Sequence, residues 1–346
     1  MRFSAVFRML FLFTIGFALM GCRYLVDEDR RDCGGDCTID CRLRLQTKMQ
    51  TELATVLSLA EDQYVASSLR TWLDGLFADY ASDVDLSFYE PSGERRRLLH
   101  MRERMDGNSS VYTLYLPARE YLHNCVANIE ENDQVALVED EHCTGALLRQ
   151  YSEREVAAGL MPTRGSIPAD TVHSHNTGLF SARKHILMQA MEDRQISIHL
   201  YMVNAASALV LDRATAGTAG QAQVYVRGFA DAFAIADSTY RFASQPVVRT
   251  LSLPVEGGTE YCYASAHFPS KDEGEGAIWR WDVQVPLPDG SVTRSVLEVK
   301  EPLQAGCLKI LKAKVFDNGV VSVTDPTVAV SVTLNWNQGS EHDVEM

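Results

Sequence analysis

Short stretches in which apolar and polar residues alternate recur along most of this chain, with turn sequences between them roughly every eight to twelve residues. Residues 41–47, 84–88, 110–116, 121–129 and 196–203 each send apolar side chains to one side, and 134–138 adds a shorter run. A period of two is the signature of a half-buried β-strand. The same pattern returns at 224–226, 251–253, 261–268, 277–285, 292–299, 308–316 and 320–323. Within 277–285, Trp279, Trp281, Val283 and Val285 share one face, which predicts core packing for both tryptophans. The cleanest alternation closes the chain: Val328, Val330, Val332, Leu334 and Trp336 face one way, with Ala329, Ser331, Thr333 and Asn335 between them. Pro91-Ser-Gly93, Pro288-Asp-Gly290 and Asp317-Asn-Gly319 supply turns, the last a strong hairpin signal. Many short strands with turns at this spacing predict a mainly β protein, a sandwich or a barrel.

Two features interrupt the strand pattern. Leu53, Val56, Leu57 and Ala60, then Leu69, Trp72, Leu73, Leu76 and Tyr80, recur at helical spacing and predict helices that cover a sheet. Between Gly159 and Gly178 periodicity vanishes, and Pro162, Gly165 and Pro168 lie among Ser, Thr and Asn. That stretch is the expected domain boundary. His173-Ser-His175 falls inside it, and two His on one side of an extended chain can hold a metal, but no third ligand is evident.

The first residues follow another logic. Residues 1–21 carry Arg2 and Arg8 and no acid, and an apolar run from Met9 to Met20 is broken only by Thr14 and Gly16. A basic start and a short apolar run describe a signal peptide rather than a membrane span. The run ends in Leu19-Met20-Gly21-Cys22, which resembles a bacterial lipobox with Cys22 as the residue that receives the lipid. Each acyl chain gains about 0.8 kcal/mol per buried CH₂, so several chains on one cysteine hold a protein on a bilayer. The alternative is an ordinary signal peptide, or an N-terminal anchor, with an incidental cysteine. Residues 23–40 read as a tether, with Asp27-Glu28-Asp29 either an export signal of the Bacteroidetes type or a solvated charge run.

Composition narrows the partners. Removal of residues 1–21 moves the formal charge from −14 to −16, which argues against nucleic acid and anionic lipid as main partners. Seven cysteines follow Cys22, and export makes pairing the default expectation. Cys125 with Cys143 and Cys262 with Cys307 are candidate pairs, because each flanks one local strand set. Cys33, Cys37 and Cys41 lack zinc-site spacing and read as tether disulfides. The chain contains no Gly-x-Ser-x-Gly, His-Glu-x-x-His or phosphate-loop motif, so no catalytic residue is assigned and a non-enzyme is expected. Glu94-Arg-Arg-Arg97 reads as a solvated hairpin edge.

Taken together, the lipobox and acidic tether, Asp85-Leu-Ser-Phe-Tyr-Glu-Pro-Ser-Gly93, Gly178-Leu-Phe-Ser-Ala-Arg183, Ile198-His-Leu-Tyr-Met-Val-Asn-Ala205 and Val330-Ser-Val-Thr-Leu-Asn-Trp336 resemble the fimbrillin-associated anchor proteins, of the major-fimbrium anchoring type. The resemblance implies two tandem transthyretin-like β-sandwich domains, with a helical insertion in the first. Residues 1–21 would be the signal peptide, 22–40 the lipidated tether, 41–160 the first domain, 161–178 a linker and 179–346 the second domain. It implies a lipoprotein that attaches the base of a fimbria to the outer membrane and limits its length. Its partners would be a fimbrial shaft subunit and the membrane lipid. Neither a nucleic acid nor a small-molecule substrate is expected, nor any cofactor beyond the lipid on Cys22. Residues 328–336 are the candidate contact with the next subunit or the last strand of their own domain. A surface adhesin or glycan-binding lipoprotein with the same sandwich is the alternative.

Overall fold

The computed structural model describes residues 34–43, 63–76, 82–93, 95–105, 109–138, 146–161, 170–212, 222–256, 260–273, 278–323 and 334–335. The described chain is mainly β. In order the elements are β1 (Gly35–Leu43), α1 (Gln63–Leu76), β2 (Asp83–Tyr89), β3 (Arg97–Arg104), β4 (Ser109–Leu116), β5 (Glu120–Ala127), β6 (Val135–Val138) and β7 (Leu147–Gln150). There follow α2 (Glu153–Ala158), β8 (Thr171–His173), β9 (Phe180–Leu187), β10 (Arg194–Met202), β11 (Ala205–Asp212), β12 (Gln223–Arg227), β13 (Ala232–Ala234), β14 (Thr239–Arg241) and β15 (Val247–Arg249). The last are β16 (Leu251–Leu253), β17 (Glu260–His267), β18 (Trp279–Pro286), β19 (Val292–Val299), β20 (Cys307–Val315), β21 (Val321–Val323) and β22 (Leu334–Asn335).

The first sheet runs β3-β2-β5-β9-β10-β1-β4. It is not flat. Three strand spacings, about 14 Å, would separate β1 from β5 in a flat sheet. Yet Cys41 Sγ on β1 lies 3.7 Å from Cys125 Sγ on β5. The fold-back occurs where β9 and β10 pair over only Ser181–Tyr201 and Phe180–Met202. One layer is then β4-β1-β10 and the other β9-β5-β2-β3, with Cys37, Ile39, Leu86, Phe88, Cys125, Ile196 and Ile198 in the core between.

In a second sheet, β16-β17-β11-β20-β21 with β22 beside β20, the central strands β17, β11 and β20 are largely buried on both faces. On β11, Ala206, Ala208 and Val210 join the first core. Ala205, Leu209 and Leu211 join a second core with Trp279, Trp281, Val283 and Val285 of β18. The third sheet, β19-β18-β12-β15-β8, closes that second core. A four-stranded sheet, β14-β13-β7-β6, covers the outer face of β5 at Leu122 and Val126. Helix α1 buries Val65, Ala66, Leu69, Leu73 and Leu76 in the first core, as its stripe predicts. The stripe around Leu53 lies outside the described residues, as does Tyr80.

Several expectations need correction. The strand expected from Cys41 begins at Gly35, so residues 35–40 belong to the sheet rather than to the tether. Cys37, Ile39 and Cys41 alternate as one inward face and are fully buried, which is why the strand extends back that far. The irregular stretch 161–178 does not divide the sheets. Strands β9 and β10, expected beyond the boundary, pair with β5 and β1 of the first half. The physical reason is register: Ile39 opposes Ile196 and Cys41 opposes Ile198, aligning two apolar faces that are distant in sequence. One expected disulfide fails as well. Cys262 points into the first core and Cys307 into the second, on opposite faces of one sheet, and both are free. The expected pair of Cys125 with Cys143 falls on Cys143, which lies outside the described residues, as does Cys33.

Candidate anchoring site

The site of interest is where the expected tether enters the folded body. Gly34 and Gly35 thread the chain between the end of β4 and the turn before β10. A Cβ on Gly34 would sit 1.8 Å from the Leu116 carbonyl oxygen, and one on Gly35 would sit 1.9 Å from that of Glu192. Both obstacles are backbone, so only glycine fits. The Gly34 N–H donates to the Tyr115 hydroxyl at 2.7 Å, and the Asp36 N–H donates to Asp193 Oδ1 at 3.0 Å. Sequence reasoning passed over this Gly-Gly pair, although two adjacent glycines before an alternating run are a readable signal of close backbone approach.

Beyond the glycines, β1 is an internal strand. It pairs parallel with β10 from Cys37–Arg194 to Leu43–Leu200, and antiparallel with β4 from Gly35–Leu116 to Arg42–Ser109. Two of its outward side chains have local partners. Thr38 Oγ1 lies 2.9 Å from Thr113 Oγ1 on β4, and Asp40 forms an ion pair with Arg42 at 2.6 Å. Its inward face places Cys41 Sγ against Cys125 Sγ and 3.4 Å from the Tyr112 hydroxyl. The hydrogen bond with Cys125 lowers the Cys41 thiol pKa against the opposing effect of burial, with Tyr112 helping. Burial raises the Cys125 thiol well above its ordinary value. Burial also pushes the Cys37 thiol up to about 11.

Cys22 and the expected lipobox residues Leu19, Met20 and Gly21 lie outside the described residues, as do Val328, Val330, Val332 and Trp336. Eleven residues lie between Cys22 and Gly34, a reach of at most about 40 Å when extended. Of the closing segment, Leu334 and Asn335 form β22, opposite Leu308 and Cys307 at the start of β20. That contact lies within the same chain.

The other sequence candidates separate in space. Trp279 and Trp281 are buried, and the indole N–H of Trp279 donates to the Glu301 carbonyl at 2.9 Å. His175 is buried against Phe268, whereas His173 is partly exposed and lies 3.7 Å from Glu153. The two histidines therefore do not converge. Arg95 pairs with Asp237 at 2.7 Å and Arg96 with Glu90 at 3.5 Å, both at the surface of the β2–β3 turn. Among the described residues, no three His, Cys, Asp or Glu side chains cluster as metal ligands. Among the same residues, no helix is long and apolar enough to cross a membrane.

No protein-family model matches this chain, and no curated protein matches its sequence. Solved structures do share its fold. A candidate adhesin from Bacteroides thetaiotaomicron superposes with a TM-score of 0.52 at 10% identity, over 89% of this chain and 100% of that one. A candidate polysaccharide-binding protein from the same organism gives 0.52 at 8% identity, over 85% and 99%. The fimbrial anchor protein Mfa2 from Porphyromonas gingivalis gives 0.47 at 10% identity, over 86% and 95%. The mainly β fold is thus one found among Bacteroides adhesins.

Proposed function

We propose that this chain is a lipid-anchored fimbrial subunit that fixes the base of a fimbria to the outer membrane and limits its growth. The observation that carries this reading is the construction of β1. The segment that follows the lipobox cysteine becomes an internal strand of the first sheet, flanked on both sides, with its inward face fully buried. A lipid on Cys22 is thereby coupled to the body through a strand that cannot detach without opening the core. Such a strand fills its own groove and leaves no vacancy for a neighbour's strand at that place, which suits a terminal subunit. The body sits at the cell surface, partnered by a fimbrial shaft subunit and by membrane lipid, with no catalytic chemistry and no cofactor. Cys22→Ala tests this. It should abolish labelling by radioactive palmitate and release fimbriae into the medium, and normal retention of fimbriae would sink the proposal.

A second reading, a glycan-binding surface lipoprotein, is favoured by a hollow of about 490 Å³ between α1 and β16. Tyr64, Thr71, Trp72, Pro254 and Glu256 line it, an aromatic and hydroxyl surface of the kind sugars use. Trp279 and Trp281 cannot serve that role because they are buried. Glycan-array binding that disappears in Trp72→Ala would move the assignment to this reading.

A further inference from the structure

We infer that Cys41 and Cys125 form a disulfide that staples the N-terminal strand to the opposite layer of the first sheet. The two residues come from different layers, β1 and β5, and from positions 84 residues apart. Their sulfurs already face each other at 3.7 Å with both side chains fully buried. A disulfide needs about 2.05 Å, so forming the bond draws the two sulfurs closer than they stand here. No competing partner is available among the described cysteines. Cys37 shares the inward face of β1 but stands four residues away, about 13 Å along an extended strand. Cys262 and Cys307 belong to β17 and β20 of the second sheet.

The inference rests on the reading that the chain is exported, because that places folding in an oxidising compartment. The bond forms as the layers close, by exchange with a protein or small-molecule disulfide. The Cys41 thiolate attacks one sulfur of that oxidant and expels the other as thiolate. The Cys125 thiolate then displaces the first sulfur from the mixed disulfide. Two protons leave the cysteines, and the oxidant departs as two thiols. The bond has a mechanical result. Arg44 and Lys48 are the basic residues of the connection 44–62 between β1 and α1. A cut there would leave β1, and any lipid upstream of it, covalently tied to β5.

The test is peptide mapping of the full chain. One sample is isolated from membranes with free thiols blocked by N-ethylmaleimide under denaturing conditions. The other is refolded in a glutathione redox buffer. Trypsin followed by Asp-N, which cuts before Asp36, Asp40, Asp133 and Asp140 and so separates Cys41 from Cys33 and Cys37 and Cys125 from Cys143, should release a Cys41 peptide joined to a Cys125 peptide, lighter by two hydrogen atoms than the separate pair, and Cys125→Ser should remove that species. Blocked thiols at both positions in the refolded sample, or a link from either residue to Cys33, Cys37 or Cys143, overturns the inference. A link in the refolded sample with free thiols in the cellular one upholds the pairing and counts against export, which lipid labelling of Cys22 tests separately.

Discussion

His267 on β17 accepts a hydrogen bond from the Ser207 hydroxyl on β11 at its Nε2, 2.9 Å away, between strands largely buried on both faces. Its other ring nitrogen faces the Phe268 carbonyl at 2.8 Å and donates to it, which fixes the neutral tautomer. Burial lowers the His267 pKa to about 4. His123, stacked on Phe88, is likewise lowered to about 4, and His175 to about 3.

These three rings make stability depend on pH with a definite sign. Between about pH 6.5, where an unfolded histidine titrates, and the folded values near 4, the unfolded chain binds more protons than the fold. Stability therefore rises with pH across that window and is lost as pH falls through it. Each histidine contributes on the order of 3 kcal/mol once the pH reaches 4. Asp83, whose carboxyl burial raises, acts in the opposite sense. Urea midpoints measured from pH 7 to pH 4.5 should fall steadily. His175→Leu should flatten part of the slope without loss at pH 7, because both its ring nitrogens lack partners among the described residues. A flat profile in the parent protein would contradict the buried neutral state.

Gly35→Ala should loosen the entry of β1 although it touches no apolar side chain. The added methyl group meets the Glu192 carbonyl at 1.9 Å, so either β1 or the turn before β10 must move. Overpacking of this kind costs on the order of 1–3 kcal/mol. Hydrogen exchange should report the loss first at β1 and at its partners in β4 and β10. Unchanged protection of those amides would show that the gap tolerates a side chain.

Asp85 and Arg102 oppose each other directly across β2 and β3. The Asp85 Oδ2 accepts from Arg102 Nη2 at 3.0 Å and Nε at 3.2 Å, and lies 2.8 Å from His100 Nε2. Asp85 is buried, so Arg102→Met strands a carboxylate with weaker support, at a cost of about 2 kcal/mol after allowance for the half-open arginine. Asp85→Asn in the same background should recover part of that loss. Additive effects of the two substitutions in thermal melts would show that the pair is not coupled.

Legibility in the sequence followed exposure. Strands with one wet face, such as β10 and β18, alternate visibly, and their burial patterns repeat that alternation. Strand β11 was missed because all but its last residue are buried, so Ala205–Leu211 carries no polar beat. The three-residue strands β8, β13, β14 and β15 are too short for a period. Pairings between distant segments, such as β1 with β10, leave no local trace at all. The same blindness hid the approach of Cys41 to Cys125, while sequence proximity wrongly favoured Cys262 with Cys307. The expected lipobox, Leu19 to Cys22, remains a reading of the sequence, because it lies outside the described residues.

The closing segment gives the sharpest test of the proposed contact with a fimbria. Leu334 and Asn335 pair with Leu308 and Cys307, at the start of a strand whose far half, Ala313–Val315, is paired by β21. Truncation after Pro326 removes this pairing and all of 328–336. If that segment serves chiefly as the last strand of its own sheet, the truncated chain loses β20 protection and melts at lower temperature. If it serves chiefly as the contact with a shaft subunit, the truncated chain melts close to the intact one and no longer co-purifies with fimbriae. The subunit-contact role for Val328, Val330, Val332, Leu334 and Trp336 predicts the second outcome. The internal pairing of β22 predicts some loss of stability alongside it, on the order of 1 kcal/mol for the few backbone hydrogen bonds removed. Co-purification at the level of the intact chain would end the contact assignment, whatever the melting curve shows.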